Sequence, residues 1–509
     1  MKNRIPGVAG VAALAFLLRV WHLDAIPIAG DESVYLRWAE IIVNQKQWFI
    51  SLLDGKQPLC YWLYALVLAW QPDDPLPAAR WLSALAGTAS TLGLFAIGRR
   101  LAGDAAGFVA AGFYAFLPYA LLYDRLAYAE AFVNLAGIAI VYASLVCFQN
   151  ASGPWRPAVW LGLALGLGFF VKSTTLLFWF FPPLAALWLG GPRRAPRLGL
   201  AYGIALLFPL LLWRMAPRAP MMPTHSLVVH QTSFFVPPAE LLRNPLVVAP
   251  QNLRLLGEYV VSYVSVAPAL AALTALGWLL YRRSAAAAVI ASVSVLPLLM
   301  EIFTLQKTFP TRYPFAHVWP WLVVLGLAAA RLSRRERGAA LLLLAPLVVK
   351  GVGVVANPQK YLHAEDAATF LGSGPAAGWG LPETAGFLRN EARQGSITVF
   401  TDPIWGPPAD SMFVYLNGRE NIRVHEAWWM TISLDHPILP PAPVELVKSQ
   451  YERVPAGMLD PRQLGRVYYV TEVHYTPPEA VRRREPAARR VASFAKPNER
   501  NSVDVYRLR

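Results

Sequence analysis

The sequence predicts a polytopic α-helical membrane protein with about eleven transmembrane helices, followed by a C-terminal soluble α/β domain. Of its 509 residues, 56% are hydrophobic and only 15% are charged, whereas a soluble globular chain carries about 25% charged residues. Long apolar runs recur up to residue 355, and short β-rich runs alternate with helix-like runs after it. The deficit of charge is too large for an ordinary soluble core, and therefore predicts membrane spans.

The first apolar run is interpreted as a retained span rather than a signal peptide. Lys2 and Arg4 give it a positive start, but no small-residue cleavage site follows before Asp24. The other candidate spans are runs of about 20 mostly apolar residues. The eleven intervals are 5–22, 77–98, 104–121, 127–148, 157–172, 174–191, 199–215, 257–281, 284–304, 314–331 and 338–355.

Basic residues in the short loops predict the orientation of these spans. If the spans alternate, most basic residues fall on one side of the membrane: Lys2, Arg4, Arg99, Arg100, Arg156, Arg193, Arg194, Arg197, Arg282, Arg283, Arg331, Arg334, Arg335 and Arg337. The opposite short loops carry only Arg125, Lys172, Lys307 and Arg312. The N-terminus is therefore predicted to be cytoplasmic, and much of the net charge of +15 is a topological signal rather than a nucleic-acid footprint.

This topology predicts two domains. Residues 1–355 form a transmembrane domain with outer loops at 23–76 and 216–256, and residues 356–509 form a soluble domain outside the cytoplasm. The soluble domain is predicted to have strands near 396–401, 422–427, 467–472, 490–495 and 502–508, with helices near 382–394 and 409–416. Cys60 and Cys147 lie far apart in apolar surroundings and predict neither a disulfide framework nor a metal site.

An acidic pair follows the first span. Gly30-Asp31 is typical of a turn and helix N-cap, and the apolar spacing after it predicts an amphipathic helix in the membrane interface. Asp31 and Glu32 would then lie at a helix N-terminus, which favours the ionised carboxylate, so that one could act as a general base. The alternative is a plain N-cap with Glu32 in the first turn, and the dipeptide alone does not decide between them.

Further charges enter the spans at their predicted outer ends. Lys56 precedes an aromatic-rich helix, where it could hold a lipid phosphate or only snorkel. An Asp124–Arg125 pair could simply fix a loop, but it leaves Glu130 unexplained. The remaining charged or polar positions at this depth are Lys172, Glu301, Lys307 and Arg312. Their shared depth predicts a polar cavity that opens outward and holds carboxylates and cations together.

Five motifs in order resemble a known superfamily. They are Asp31-Glu32-x-x-Tyr35-x-x-x-Ala39, Lys56-x-Pro58-Leu59-x-x-Trp62, Arg125-x-x-x-x-Glu130, Gly166-x-Gly168-x-x-x-Lys172 and Arg312-Tyr313. Together they resemble the bacterial branch of the protein O-mannosyltransferase and lipid A aminoarabinose transferase superfamily, whose members are membrane glycosyltransferases of the C-type fold. The resemblance covers roughly residues 1–330. Glu130 stands where the family has aspartate, and Gln57 replaces the first proline of a Lys-Pro-Pro triplet.

The resemblance implies an inverting hexosyl or pentosyl transfer from a polyprenyl-phosphate sugar donor to an acceptor hydroxyl of a lipid, glycan or protein. It implies a multi-pass protein of the bacterial plasma membrane, acting on its outer face. Asp31 would be the general base, Glu32 would support it, and Glu130 would be the second acidic residue. The implied donor-phosphate ligands are Lys56, Arg312, Tyr313, Arg125 and Lys172.

The resemblance also leaves open a divalent cation held by Asp31, Glu32 or Glu130, because some relatives use one near their acidic motifs. The eight histidines are scattered, so the sequence itself predicts no metal site. Two alternatives to the enzyme are a transporter or flippase for lipid-linked saccharides and a noncatalytic membrane scaffold. A transporter would place charges near the bilayer midplane and often shows repeated halves, neither of which this sequence has, and a scaffold would leave the five motifs unexplained.

Overall fold

The computed structural model describes residues 5–149, 155–216, 232–306, 309–343, 345–402, 404–427, 466–497 and 501–508. Lys2, Arg4, Lys307 and most of the first half of the outer loop 216–256 lie outside the described residues.

The N-terminal two thirds of the chain is helical. Its helices are α1 Ile5–Val20, α2 Gly30–Gln45, α3 Leu59–Leu68, α4 Pro75–Ala102, α5 Asp104–Phe116, α6 Pro118–Tyr123, α7 Glu130–Gln149, α8 Arg156–Val171, α9 Phe181–Gly190, α10 Ala195–Met215, α11 Pro238–Arg243, α12 Ala249–Tyr263, α13 Val266–Tyr281, α14 Ala285–Thr304, α15 Arg312–Phe315, α16 Trp319–Ala329, α17 Arg334–Leu342 and α18 Ala345–Ala356. Short 3-10 helices lie at Ile50–Asp54, Ser173–Phe178 and Gly191–Arg194.

Helices occur in all eleven intervals predicted to span the membrane. Among the described residues, four helices are individually long and apolar enough to cross a membrane, namely α4, α7, α10 and α14, or up to six spans if two bent pairs count as one each. The protein is thus a polytopic helical membrane protein, and the number eleven stays a prediction. Helix α4 lies at the centre of this part of the fold, because it packs against α1, α5 and α7.

The predicted span 257–281 is not one straight helix. Helices α12 and α13 meet at a bend of 108°, where Ser265 has a positive φ of 74° and breaks the helical hydrogen-bond ladder. The apolar composition of residues 257–281 predicts a single span, because mean hydropathy is taken over the whole segment and is not changed by a bend within it.

The C-terminal part of the chain contains a five-stranded sheet. Its helices are α19 Pro358–Tyr361, α20 Ala364–Leu371, α21 Leu381–Ala392, α22 Ala409–Leu416 and α23 Pro478–Arg484, and its strands are β1 Ile397–Thr401, β2 Ile422–Glu426, β3 Arg466–Glu472, β4 Arg489–Ala495 and β5 Ser502–Arg507. The strand order is β2-β1-β3-β5-β4. Strands β2, β1 and β3 are parallel, and β5 is antiparallel to β3 and β4. All five strands lie within one residue of their predicted positions.

Helix α2 is enclosed by both parts of the chain. Every residue from Glu32 to Ile42 is buried, so the prediction of an amphipathic helix lying in the interface is wrong. One side packs on α3, and the other packs on α22 of the C-terminal part. Ser33 Oγ lies 2.7 Å from Ser411 Oγ across this contact, and Trp38 stacks edge-on against Trp405.

A loop of the C-terminal part also holds the start of α2. Ala29 and Ala377 form an antiparallel bridge, and the Gly378 N–H donates to the Ile28 carbonyl at 2.9 Å. The loop is held in turn by the buried Lys496, whose Nζ donates to the Ala377 carbonyl at 2.7 Å and to Glu472 at 2.7 Å. The first turn of α2 is therefore positioned by the C-terminal part as well as by the helical part.

Candidate active site

Asp31 lies in the first turn of α2 and faces a cation from a distant part of the chain. The N-cap is Ala29, one residue before the predicted Gly30-Asp31 cap, so Asp31 occupies the second helical position. Its carboxylate accepts a hydrogen bond from Arg312 of α15. Partial burial raises the pKa of Asp31, but the charges of Arg312, Lys56 and Lys172 outweigh this effect and lower the pKa to about 2. Asp31 is therefore ionised at neutral pH.

Lys56 lies on the same side of α2, over two of its aromatic rings. Its Nζ is 5.0 Å from the centre of the Tyr35 ring and 5.4 Å from that of Trp38, and it pairs with Asp54 at 2.9 Å. One third of the Lys56 side chain is exposed. The ammonium group is thus fixed near Asp31 but stays accessible to an anion, which plain snorkelling would not require.

Glu130 and Lys172 form a second ion pair beside the first. Glu130 begins α7, Lys172 follows the last residue of α8, and their Oε1 and Nζ atoms are 2.7 Å apart. The Tyr313 ring lies between the cations, with its centre 6.0 Å from Lys172 Nζ and 5.9 Å from the Arg312 guanidinium carbon. The two ion pairs therefore form one continuous charged group.

A charged cavity lies next to these pairs. Its polar lining includes Glu130, Lys172, Arg312, Tyr313, Glu301 and His317. Asp31 is joined to the cavity through its ion pair with Arg312. The structure thus brings together Asp31, Glu130, Lys172, Arg312 and Tyr313, and it places Lys56 nearby, across Tyr35.

Glu32 lies outside this group. Its side chain is fully buried, receives two hydrogen bonds from Arg80 of α4 at 2.8 and 2.5 Å, and accepts one from the Ala127 N–H at 2.6 Å. It also accepts from the N–H of Ala29, the N-cap residue of α2, at 3.0 Å. Glu32 fixes the helix that carries Asp31, and its carboxylate does not face the charged cavity.

Arg125 also lies apart from the other four predicted phosphate ligands. Its guanidinium donates to the carbonyls of Arg19, Trp21 and His22 at the end of α1, and the residue is only 4% exposed. Its donors satisfy one carbonyl in the last turn of α1 and two just after the helix, so the structure does not bring it to the charged cavity.

Two contributions were missed by sequence reasoning. Gln57, which departs from the family pattern, accepts from the Ser173 N–H at 2.9 Å and so joins the Lys56 segment to the Lys172 segment. His317 Nε2 lies 3.1 Å from Glu301 on the cavity wall. The sequence indicates that Glu301 and Arg312 lie at one depth, and this shared depth could have drawn attention to His317, which follows Arg312 at the start of the tenth span. A single histidine at the fourth position of an apolar run is not itself a motif.

An apolar groove adjoins the charged cavity. Helices α12, α13, α14 and α16 line it with Leu256, Val260, Ala272, Leu298, Trp321 and Leu325, among others. It contains about 960 Å³ of empty space, including its open side. Such a groove suits a hydrocarbon chain, and its charged neighbour suits an anionic head group.

The carboxylates of this site are paired with cationic side chains and do not gather around one point. Among the residues that the structure describes, no three His, Cys, Asp or Glu side chains lie close enough together to hold a metal ion. Asp31, Asp54 and Glu130 each face a cationic side chain, which disfavours a metal ion at the same position.

This arrangement of helices is similar to the C-type fold of membrane glycosyltransferases. The structure is similar to ArnT from Cupriavidus metallidurans bound to undecaprenyl phosphate, with a TM-score of 0.61 and 13% identity over 99% of this chain and 98% of that chain. It is also similar to the archaeal oligosaccharyltransferase AglB from Archaeoglobus fulgidus in complex with an inhibitory peptide and a dolichol-phosphate, with a TM-score of 0.52 and 11% identity over 92% of this chain and 69% of that chain.

The sequence matches are narrower than the structural ones. Residues 55–213 match the family described as dolichyl-phosphate-mannose-protein mannosyltransferase. No curated protein matches the sequence. The partial family match and the fold together support the superfamily that the five motifs resemble.

Proposed function

We propose that this protein is an inverting glycosyltransferase that moves a sugar from a polyprenyl-phosphate donor to an acceptor hydroxyl of a lipid, glycan or protein. The observation that carries the proposal is the position of the charged cavity, whose walls include Lys172, Arg312 and Glu130, directly beside an apolar groove. A lipid-linked sugar phosphate has the same two parts, an anionic group and a long apolar tail. The reaction would take place at the outer face of a bacterial plasma membrane.

The lipid phosphate would be held by cations that now neutralise carboxylates. Arg312, Lys172 and Lys56 each have a carboxylate partner, so an arriving phosphate would compete for cations that are already fixed in position. Tyr313 would support the same group from between Arg312 and Lys172. Preorganised cations stabilise the negative charge that develops on a leaving group.

Asp31 would act as the base. It would take the proton of the acceptor hydroxyl, whose oxygen bonds to the anomeric carbon while the bond from that carbon to the phosphate oxygen breaks, and the lipid phosphate would leave as an anion. A carboxylate with a pKa of about 2 is a weak base. A donor phosphate that shares Arg312 would offset one of the charges that lower this pKa, so donor binding would strengthen the base.

Replacing Asp31 tests the proposal. Asp31→Asn should lower the rate of sugar transfer about a hundredfold or more, because a general base contributes about that much, while undecaprenyl phosphate should still bind. The assay follows release of undecaprenyl phosphate from a panel of undecaprenyl-phosphate monosaccharides by mass spectrometry of the purified full chain.

Asp73→Asn is the matched control. Asp73 is 98% exposed on the same predicted side of the membrane, and its replacement should leave the rate unchanged. Full turnover by Asp31→Asn would remove the base assignment, and a product that keeps the anomeric configuration of the donor would exclude the inverting reaction.

A further inference from the structure

His317 lies where the charged cavity meets the apolar groove. It lines the cavity together with Glu130, Lys172 and Arg312, and it lines the groove together with residues such as Trp321. Within the described part of the chain, it is the residue that the two linings have in common. A lipid phosphate with its head group in the charged cavity and its tail in the apolar groove would contact this side chain.

The imidazole ring has one nitrogen engaged and one without a partner. Nε2 lies 3.1 Å from the Glu301 carboxylate, and the side chain is 2% exposed. Nδ1 is buried and has no hydrogen-bond partner among the described residues. Buried polar atoms are nearly always hydrogen-bonded in native proteins, so an unpartnered one on a side chain that lines a cavity points to a ligand that completes the bond.

We propose that His317 binds the phosphate of the lipid-linked donor through Nδ1, at the junction between phosphate and tail. This inference rests on the proposed function and adds a residue that neither the motifs nor the comparisons assign. The Glu301 carboxylate would hold one proton on Nε2, and the phosphate would stabilise a second proton on Nδ1. Hydrogen bonds between ionised partners are about twice as strong as neutral ones.

The groups around the ring decide which ligand fits. Arg312 and Lys172 contribute positive charge to the same cavity, and Glu301 and Glu130 contribute negative charge. Each glutamate already has a partner, His317 for Glu301 and Lys172 for Glu130. An anion in the cavity would therefore be met by the Nδ1 proton and by the cations, whereas a neutral alcohol would gain little from them.

The test compares two lipids that differ only in the phosphate. Binding of undecaprenyl phosphate and of undecaprenol is measured on the purified full chain in lipid nanodiscs. His317→Phe keeps the ring shape but removes both nitrogens, so it should weaken binding of undecaprenyl phosphate about tenfold, the loss expected for one charge-assisted hydrogen bond. It should leave undecaprenol binding unchanged.

A purely structural role for the Glu301–His317 pair would give another pattern. In that case His317→Phe would weaken both lipids equally, or neither, and the inference would be overturned. His317→Gln keeps an N–H donor and should recover part of the phosphate affinity. His474→Gln, a replacement of an exposed histidine of the C-terminal part, should bind both lipids as the unmodified chain does.

The two proposals fail in different ways. If the unmodified chain does not distinguish undecaprenyl phosphate from undecaprenol, both are overturned. If it does, and His317→Phe distinguishes them equally well, only the role of His317 is lost. Should His317→Phe not fold, a structure of the unmodified chain with undecaprenyl phosphate decides the matter: Nδ1 within about 3.2 Å of a phosphate oxygen supports the inference, and a larger separation overturns it.

Discussion

Arg312 and Arg125 show how two arginines at similar predicted depth can have different tasks. Arg312 lies on the wall of a cavity and donates to the Asp31 carboxylate, whereas Arg125 donates to three backbone carbonyls. The sequence predicts the depth of both residues, because charges enter the spans at their ends. It does not predict the direction of a side chain around the bundle, which depends on tertiary packing.

The same limit explains why Asp31 pairs with a residue of the charged cavity and Glu32 does not. Consecutive residues of a helix point about 100° apart, so two adjacent carboxylates need not face the same cavity. Asp31 points to Arg312, and Glu32 points to Arg80. The motif places both residues at the start of α2, but only the packing of α2 against α4 decides which of them reaches the site.

Replacing each arginine by glutamine separates their tasks. Arg312→Gln should raise the KM for the lipid-linked donor about tenfold, because it removes a charged contact to the phosphate. Arg125→Gln should keep that KM within about twofold but destabilise the protein by about 1–3 kcal/mol, because it removes a buried guanidinium that donates to three backbone carbonyls, among them the buried carbonyl of Arg19. Steady-state kinetics and thermal unfolding of the two variants check this, and a donor KM raised equally by both would contradict it.

At the scale of elements, α2 differs most from its sequence prediction. Its apolar periodicity is real, but its other face is covered by α22 rather than by water or lipid head groups. Periodicity shows only which residues of a helix are apolar. It does not show that a polar residue is covered by a distant segment, as Ser33 is by Ser411. The first turn of α2, by contrast, was predicted to within one residue from its Gly-Asp-Glu sequence.

Glu32→Gln tests whether α2 is held by its buried carboxylate. The change leaves the Arg80 guanidinium buried without its counter-charge, and breaking such a pair costs about 3–5 kcal/mol. We expect a lower unfolding temperature and a lower kcat, with the donor KM little changed, because Asp31 would be misplaced while the phosphate ligands stay. A variant with unchanged stability and kcat would show that the Glu32–Arg80 pair does not position the helix.

At the scale of the whole molecule, the sequence predicts the strands of the sheet but not the contact between the C-terminal part and α2. The strands follow from alternating patterns and β-rich composition, and they lie where those patterns predict. Nothing in the pattern shows that the loop at 373–378 contacts the helix that bears Asp31, because the contact is made by backbone atoms of small residues, such as the Gly378 N–H. The buried Lys496 donates to a carbonyl of this loop. The sequence does not predict this role, because a single lysine near the end of the chain belongs to no motif.

Gly378→Ala tests whether the C-terminal part positions Asp31. A Cβ atom at residue 378 would lie 2.5 Å from the Ile28 carbonyl oxygen, so the loop must move away from the start of α2. The expected result is a clear loss of kcat with unchanged binding of undecaprenyl phosphate.

Gly386→Ala, in α21, is the matched control because its Cβ would meet nothing within 4 Å. Retained kcat in Gly378→Ala, or an equal loss in both variants, would show that the contact has no special role.

The bend between α12 and α13 affects how a carrier lipid could exchange. The two helices meet at 108°, and both contribute residues to a groove that is open along one side. A carrier could therefore slide in and out sideways, within the plane of the bilayer, without its tail being drawn into water. The length of the tail would then be limited by the surrounding leaflet rather than by the depth of a closed pocket, so that one site could serve carriers with different numbers of isoprene units.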